Sequence, residues 1–409
     1  MLKLAIISAS TITSFVGLTI PALGAFVQAF PETNPVIIKS ITTIPPLMLV
    51  IFSLLSGRIC RLISKRNVLI LSSFCILIGG TVPAFYGDIY FILFMRLIFG
   101  IGYGLGFPVT LASIMEYFQG NERVKLMGVY MAISSITGIL IKLLGGYLAQ
   151  RHWRTVFWGH SLILISMIVV IIAFPKEKKN PPSSKEIEYH QNQSNPRGFS
   201  ALKGITYFLG ILPLFSSFSL WAFFNNISIV LTQEKLGGPG FASILMSMES
   251  LFMFSMGIIF QKIYRVLKNY TAVVGIIIFG LSFFFLSKSH TGMEFIIASC
   301  VLGIGYGTYY PSIHLAIGGS VRDPKNVNAA VSFGTSAMGI GQFISAYAMA
   351  AMTTLFKISG GRGEWLLAMI LCMGGGLTGA VVILLYYILE QNRGRPVEQE
   401  KHPERKKTA

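Results

Sequence analysis

Three ionisable side chains lie inside long apolar stretches of the sequence, where they could bind a charged solute or a proton. Arg96, Lys142 and Glu249 each lie several residues from either end of such a stretch. If these stretches cross a membrane, an ionised group at mid-bilayer costs roughly 2.5–3.5 kcal/mol. Each charge then needs a counter-charge or a water-filled cavity. We therefore predict that all three are substrate-binding or proton-binding residues.

The composition is typical of a membrane protein and not of an enzyme with a bound cofactor. Hydrophobic residues make up 53% of the 409 residues and charged residues only 12%, whereas soluble domains carry about 25% charged residues. The sequence contains no His-Glu-x-x-His, no Gly-x-x-x-x-Gly-Lys-Ser/Thr and no Cys-x-x-Cys motif. We expect no cofactor, no metal ion and no catalytic activity.

The apolar stretches are long enough to be membrane helices, since about 20 residues cross a bilayer and only a helix satisfies the backbone there. We predict an all-α integral membrane protein with twelve transmembrane helices, at residues 4–26, 36–56, 67–86, 90–115, 125–149, 156–174, 204–231, 240–262, 269–287, 293–317, 327–356 and 365–388. The predicted regions are a six-helix bundle at 1–175, a cytoplasmic linker at 176–203, a second six-helix bundle at 204–390 and a basic cytoplasmic tail at 391–409.

The net charge of +17 indicates membrane orientation. With both termini in the cytoplasm, 24 of the 33 Lys and Arg residues lie in segments on the cytoplasmic side and seven on the opposite side. Positive charge is concentrated on the cytoplasmic side of membrane proteins. The partner that we expect is therefore the lipid bilayer of the cell membrane and not nucleic acid.

A glycine-rich pattern occurs twice, 203 residues apart, which predicts two halves built on one plan. Gly100-Ile101-Gly102-Tyr103-Gly104 recurs as Gly303-Ile304-Gly305-Tyr306-Gly307, and a proline follows each copy at the same distance, Pro108 and Pro311. Small residues four apart let membrane helices pack closely, and an internal proline permits a bend. We predict conformational roles for six of these residues: Gly100, Gly104, Pro108, Gly303, Gly307 and Pro311.

Two parallel six-helix repeats joined by a polar linker resemble the major facilitator superfamily. Arg96-x-x-x-Gly100-x-Gly102-x-Gly104 is similar to the fourth-helix motif of its drug-exporting members, in which the arginine is implicated in proton or substrate handling. The resemblance implies alternating access around a cavity lined by helices one, four, seven and ten. Arg96 would face this cavity and serve an anionic substrate or a proton relay. The alternative is an arginine that snorkels to the interface.

Two further segments resemble the family in part. Between the second and third helices, Gly57, Arg58, Arg61 and Arg66 resemble a basic signature, which implies conformational roles for them. Arg61 stands where the family has an acidic residue, so the latch assigned to that acid is not expected. Near the end of the fifth helix, the paired glycines 145–146 match drug exporters. The Gly-Pro that usually precedes them is replaced by residues 141–142, which weakens the prediction of an antiporter.

Lys142 and Glu249 lie at similar depths, about seven and eight residues from the same surface, or roughly 10–13 Å at the rise of a helix. Helices five and eight pack together in the fold that the resemblance implies. We therefore predict an ion pair between the two halves, which protonation of Glu249 would release. The alternative is two unrelated charges that face a watery cavity.

The resemblance also implies cavity contacts on helices four, seven and ten, namely Tyr103, Asn225, Asn226, Tyr306 and His314. Their aromatic rings could stack on a flat or cationic ligand, whereas His314 could instead be a hydrogen-bonded packing residue. We expect a monomeric secondary transporter, driven by protons or a counter-ion, that exports a small amphipathic compound. Uptake or exchange of a small organic anion is the alternative, and a non-transporting membrane sensor is the third possibility.

Overall fold

The computed structural model describes residues 1–118, 120–175, 204–321, 324–358 and 360–376, together with positions 378, 379, 381, 382 and 385. Within these ranges the chain forms twelve helical segments and no β-strand. The predicted linker at 176–203 and the predicted tail at 391–409 lie outside the described residues.

Six segments form the N-terminal half and six the C-terminal half. The N-terminal half contains α1 (Leu2–Ala29), α2 (Pro35–Leu62), α3 (Lys65–Thr81), α4 (Ile89–Tyr117), α5 (Gly120–Arg151) and α6 (Thr155–Ala173). The C-terminal half contains α7 (Gly204–Gln233), α8 (Pro239–Leu267), α9 (Thr271–Lys288), α10 (Gly292–Gly319), α11 (Pro324–Leu355) and α12 (Gly360–Gly376). Each half has its own hydrophobic core.

Most of these segments are long and apolar enough to cross a membrane. Among the described residues nine helices meet this condition, and Phe333–Leu355 with Gly360–Gly376 would add a tenth as one span bent by 101°. The prediction of an all-α integral membrane fold is confirmed, and the twelve segments are consistent with the predicted number.

Side-chain caps begin several helices at the places where the apolar stretches start. The Asn34, Ser64 and Asp88 side chains accept hydrogen bonds from the first turns of α2, α3 and α4, which satisfies amides that have no partner inside the helix. At the start of α10, Thr291 and Glu294 accept from each other's backbone amides. This reciprocal arrangement is a capping box.

The second helix is longer than its apolar stretch predicts. We predicted an end near residue 56, but α2 continues to Leu62, and only Ile63 and Ser64 separate it from α3. Gly57, Arg58 and Arg61 therefore lie in a helix and not in a loop. The loss of apolar character at residue 57 does not mark the end of the helix, because a helix tolerates charged residues where it enters water.

The duplicated glycines occupy matching places in the two halves. A Cβ added to Gly104 would lie 2.7 Å from the carbonyl oxygen of Met48 in α2, and one added to Gly307 would lie 2.8 Å from that of Met253 in α8. Gly100 likewise faces α2, and Gly303 faces α8. The close helix packing predicted from these glycines is confirmed, and so is the common plan of the halves. Pro108 and Pro311 lie inside α4 and α10.

The bundle has two opposite sides, which we call the distal face and the linker face. The distal face carries the turns at residues 30–34, 152–154, 234–238 and 356–358. The linker face carries Met1, the turn at residues 63–64 and the start of α7.

Candidate functional site

The two halves meet near the distal face through three sets of helices. α1 contacts α7, α2 contacts α11 and α12, and α5 contacts α8. Between α1 and α7, the buried Ser228 hydroxyl donates to the Pro21 carbonyl at 2.5 Å and accepts from the Gly24 amide at 3.0 Å. Between α2 and α11, the Ser40 and Tyr347 hydroxyl oxygens lie 2.8 Å apart. Polar side chains thus join the halves at each contact.

Glycines bring α5 close to both α1 and α8. Gly145 has no room for a Cβ because the Leu18 backbone lies against it, and Gly146 has none because Ser243 of α8 lies against it. The paired glycines that the sequence singled out therefore place α5 between a helix of its own half and one of the other half. This close approach brings the charged residues of α5 and α8 together.

The predicted ion pair between Lys142 and Glu249 is confirmed, with a hydroxyl group bridging it. The Lys142 Nζ lies 3.8 Å from Glu249 Oε2. The same ammonium donates to Ser250 Oγ at 2.5 Å, and Ser250 Oγ donates to Glu249 Oε2 at 2.7 Å. The Glu249 side chain is only 1% exposed. Lys142 reaches its carboxylate mainly through the serine.

A second ion pair joins the halves closer to the distal surface. Lys39 Nζ of α2 lies 2.6 Å from Glu364 Oε1 of α12, and both residues are buried. The other oxygen, Glu364 Oε2, accepts from Asn226 Nδ2 at 2.8 Å, and the same amide nitrogen also lies 2.8 Å from the Ala222 carbonyl oxygen. Both carboxylate oxygens therefore have a donor. This pair is shorter and more completely hydrogen-bonded than the first.

Sequence reasoning missed Lys39 and Glu364. Lys39 was counted among the charges outside the membrane, and Glu364 directly precedes the predicted helix at 365–388. One feature of the sequence did indicate a partner for Lys39, since Lys39 lies within an apolar stretch and therefore needs a counter-charge. The sequence alone did not show that α2 and α12 begin side by side.

Aromatic and amide groups of α7 lie next to the two ion pairs. The Lys142 Nζ lies 4.8 Å from the centroid of the Phe224 ring, and Phe224 packs edge-on against Trp221. Asn225 Oδ1 lies 3.0 Å from the Thr42 hydroxyl of α2. Among the described residues, Trp221 Nε1 and Asn225 Nδ2 are buried without a hydrogen-bond partner. Buried donors of this kind normally bind a partner, so a solute or water has groups to bind here.

The residues predicted on α4 and α10 lie in less polar surroundings. Tyr306 is buried and packs against Phe279 and Tyr310. The His314 ring lies 4.2 Å from the Tyr310 ring, and its Nδ1 lies 3.0 Å from the Tyr310 carbonyl oxygen. Tyr103 is half-buried. The geometry of His314 fits the alternative of a hydrogen-bonded packing residue.

Arg96 does not face a cavity, so that prediction is wrong, and so is the alternative of snorkelling to the interface. Its side chain is only 1% exposed and donates to the Gly79 carbonyl of α3 at 3.0 Å. The guanidinium lies over the rings of Phe99 and Phe157, at 4.8 and 5.4 Å from their centroids. It therefore packs inside the N-terminal half, between α3, α4 and α6. A carbonyl oxygen and two aromatic faces stabilise its charge.

The basic signature at the end of α2 and the start of α3 is described only in part. Arg66 Nη2 donates to the Ile171 carbonyl at 2.6 Å, which caps the end of α6 and ties it to the start of α3. The surroundings of Gly57 and the side chains of Arg58 and Arg61 lie outside what the structure describes. Arg66 is thus a contact within the N-terminal half.

Two pseudo-repeated helical bundles that meet through polar contacts are the architecture of the major-facilitator type of membrane carrier. The family model of the Major Facilitator Superfamily matches residues 4–322 and also residues 267–409. The chain belongs to this family. The family resemblance seen in the sequence is thereby confirmed.

Curated relatives are distant, and their matches differ in length. The "Uncharacterized MFS-type transporter YhcA" of Bacillus subtilis is 27% identical over 121 residues, 29% of this chain and 22% of that protein. The "Protein TsgA homolog" of Buchnera aphidicola is 23% identical over 292 residues, 70% of this chain and 71% of that protein. The "Multidrug transporter protein MdtP" of Bacillus subtilis is 22% identical over 118 residues, 29% of this chain and 22% of that protein. The chain therefore spans only about a fifth of two of these relatives.

Solved structures share the fold over nearly the full length. The nucleoside transporter NupG matches with a TM-score of 0.71 at 13% identity, covering 94% of this chain and 98% of that one. A D-xylose-proton symporter matches with a TM-score of 0.70 at 13% identity, covering 93% of this chain and 96% of that one. Identities this low establish a common fold only.

Proposed function

We propose that the protein is a secondary active transporter that exports a small amphipathic compound across the cell membrane in exchange for protons. The observation that carries the proposal is that two ion pairs, Lys39–Glu364 and Lys142–Glu249, join the two halves near the distal face. An alternating-access carrier must open and reseal such a contact in each cycle. A carboxylate in the contact allows a proton to do this, because protonation removes its charge.

We propose the orientation that the charge distribution of the sequence favours. With both termini in the cytoplasm, the distal face is extracellular and the linker face is cytoplasmic. The described polar contacts between the halves then seal the extracellular side. Substrate would enter from the cytoplasm and leave after the distal ion pairs separate, which is the order that export requires. A single chain contains both halves, so we propose that it acts as a monomer.

We propose that substrate and protons bind at the contact between the halves. We assign substrate or proton binding to Lys142, Glu249, Asn225 and Asn226, with Tyr103, Tyr306 and His314 as contributors from the fourth and tenth helices. The proposed conformational residues remain those of the glycine rows, the two prolines and the basic signature. Export of a drug-like compound is supported by the name of one relative, a multidrug transporter.

The alternative of organic-anion uptake or exchange loses support from Arg96, one of the two cations that favoured it. It rests on the altered fifth-helix motif and on two intramembrane cations, but Arg96 lies inside the N-terminal half and Lys142 is balanced by Glu249. We therefore rank it below export.

Flux in proteoliposomes tests the proposed function. Protein is reconstituted with an imposed pH gradient, and uptake of a compound that binds the purified protein is followed with and without the gradient. We expect a gradient to drive accumulation and a protonophore to abolish it. Binding without flux of any compound under any gradient would favour the membrane sensor and contradict the proposal.

A further inference from the structure

We infer that the Lys142–Glu249 site binds a small zwitterion, whose anionic group contacts Lys142 and whose cationic group contacts Glu249. This inference rests on the proposed function, because it concerns the solute that enters between the halves when they separate. It adds the charge class of that solute, which neither the fold nor the relatives indicate.

The charges are divided between the halves in the same sense at both ion pairs. Each lysine, Lys39 and Lys142, comes from the N-terminal half, and each carboxylate, Glu364 and Glu249, comes from the C-terminal half. Separation of the halves therefore leaves one cationic wall and one anionic wall. The opened space carries opposite charges on its two sides and is neutral in sum.

The two walls differ in the hydrogen-bond partners that their charged groups keep after the halves separate. Glu249 keeps the hydrogen bond from Ser250, and Glu364 keeps the one from Asn226, because these partners belong to the same half. The partners of Lys142 described above, Ser250, Glu249 and the Phe224 ring, all belong to the opposite half. Lys142 therefore loses its described polar partners together and needs an anionic group in their place.

The two pairs differ in depth and tightness, which singles out Lys142 and Glu249 as the binding site. Lys39 and Glu364 lie four residues from the starts of their helices, about 6 Å along the helix axis. Lys142 and Glu249 lie nine and ten residues from the helix ends, about 13–15 Å deep, close to the middle of a bilayer. Their direct separation of 3.8 Å, bridged by Ser250, is also looser than the 2.6 Å of the outer pair. The outer pair closes over the inner one.

A zwitterion fits this arrangement better than a singly charged solute. An anion would pair with Lys142 and leave Glu249 without a counter-charge when the site closes, and a cation would do the reverse. A buried charge without its partner is costly, and an unpaired charge against the wrong ligand is a common basis of specificity. A solute with both groups replaces both partners, and Phe224 and Trp221 offer apolar surface for its remaining part.

Binding to the purified full chain in detergent tests the inference without any need for transport. The probes are three amino acids, glycine, leucine and phenylalanine, each compared with its matched amine and its matched acid. For leucine these are isoamylamine and 4-methylpentanoate, and for phenylalanine phenethylamine and 3-phenylpropionate. Thermal unfolding at increasing concentration gives an apparent Kd for each. We expect at least one amino acid to bind tenfold or more tightly than both of its matched ions.

Charge variants make the test specific to the site. In Lys142→Gln the preference should move to the amine, because Glu249 is left alone, and in Glu249→Gln it should move to the acid. The double variant Lys142→Gln/Glu249→Gln, which leaves no unpaired charge, should bind all three forms with similar weak affinity. Glu234→Gln, which removes an exposed ion pair within the C-terminal half, should keep the preference of the parent protein.

Three results would overturn the inference. They are equal or tighter binding of an amine or acid by the parent protein, absence of binding by every probe, and a preference that changes in Lys39→Gln but not in Lys142→Gln. Because the assay reads binding and not flux, its failure leaves the pH-gradient experiment intact. Conversely, absence of flux with a correct charge preference would contradict only the proposed function.

Discussion

Lys142 and Glu249 face each other across the two halves of the protein, with the Ser250 hydroxyl hydrogen-bonded to both. The lysine lies on α5 and the carboxylate on α8, and the two helices approach closely because Gly146 leaves room for Ser243. This relationship connects the packing of the helices to the charge balance of the site.

Exchange of the two charges tests the ion pair directly. Lys142→Glu and Glu249→Lys should each destabilise the folded state by about 3–5 kcal/mol, because each leaves like charges buried together. The double variant should recover most of this loss, since the pair is restored in reverse. Thermal unfolding of the purified proteins measures the effect. A double variant no more stable than either single variant would show that the two side chains are not coupled.

The outer ion pair should hold the distal face closed. In Glu364→Gln the charge partner of Lys39 is lost, so the distal ends of α2 and α12 should separate more often. A cysteine placed at Ser40 should then react several-fold faster with a membrane-impermeant maleimide. Glu234→Gln is the matched control, because Glu234 and Arg362 also pair near this face but lie within one half. Equal rates in the parent and Glu364→Gln backgrounds would argue against a latch.

Arg96 should affect stability more than substrate recognition. Lys in its place keeps the charge but lacks the flat guanidinium that lies over Phe99 and Phe157, so Arg96→Lys should lose about 1–2 kcal/mol of stability. Its KM for a transported compound should stay within a factor of two of the parent value. Lys142→Gln is the contrasting variant and should change KM strongly. A large change in KM in Arg96→Lys, without one in Lys142→Gln, would show that Arg96 binds the substrate.

The glycine rows offer a packing test with an internal control. In Gly303→Ala the new Cβ would meet the backbone of Glu249, so α8 and α10 must move apart, which should cost about 1–3 kcal/mol. Gly257 lies on α8 with nothing within 4 Å of an added Cβ. Gly257→Ala should therefore be neutral or stabilising by about 1 kcal/mol or less, because Ala favours a helix. Similar melting temperatures for the two variants would contradict the close approach.

Acid should weaken one contact at the distal face. The Arg362 guanidinium donates to both oxygens of Glu234 at 2.6 Å and lowers the pKa of Glu234 from its usual 4.5. A lowered pKa contributes stability that is fully present above pH 4.5 and is lost as the pH falls through the folded-state value. The half-exposed pair should contribute no more than about 1 kcal/mol. The stability difference between the parent and Glu234→Gln should therefore shrink below pH 4.5 and stay constant above it.

The sequence predicted those features that depend on apolar length and on repeated spacing. The order of the helices, the matching places of the glycine rows and the depth of Lys142 and Glu249 all follow from counting residues along helices. A count of this kind fixes how deep a residue lies. It also predicted the partner of Lys142, because the family resemblance implied that helices five and eight pack together.

The sequence failed where the direction of a side chain around its helix decides the outcome. α4 is apolar on all sides, so no polar face indicates which way Arg96 points. The end of α2 was misplaced because charge density marks the edge of the membrane and not the end of a helix. Lys39 and Glu364 were missed because their pairing depends on how the second and twelfth helices of different halves meet.

The two halves should separate at the distal face when the ion pairs between them are neutralised. Spin labels at Tyr147 and Ile244 report on the distal ends of α5 and α8, and labels at Ala112 and Val266 report on the linker face; all four residues are exposed. Double electron–electron resonance is then measured in the parent protein and in Glu249→Gln/Glu364→Gln. We expect a longer distal distance and a shorter linker-face distance in the variant. Unchanged distances at both faces would contradict this expectation.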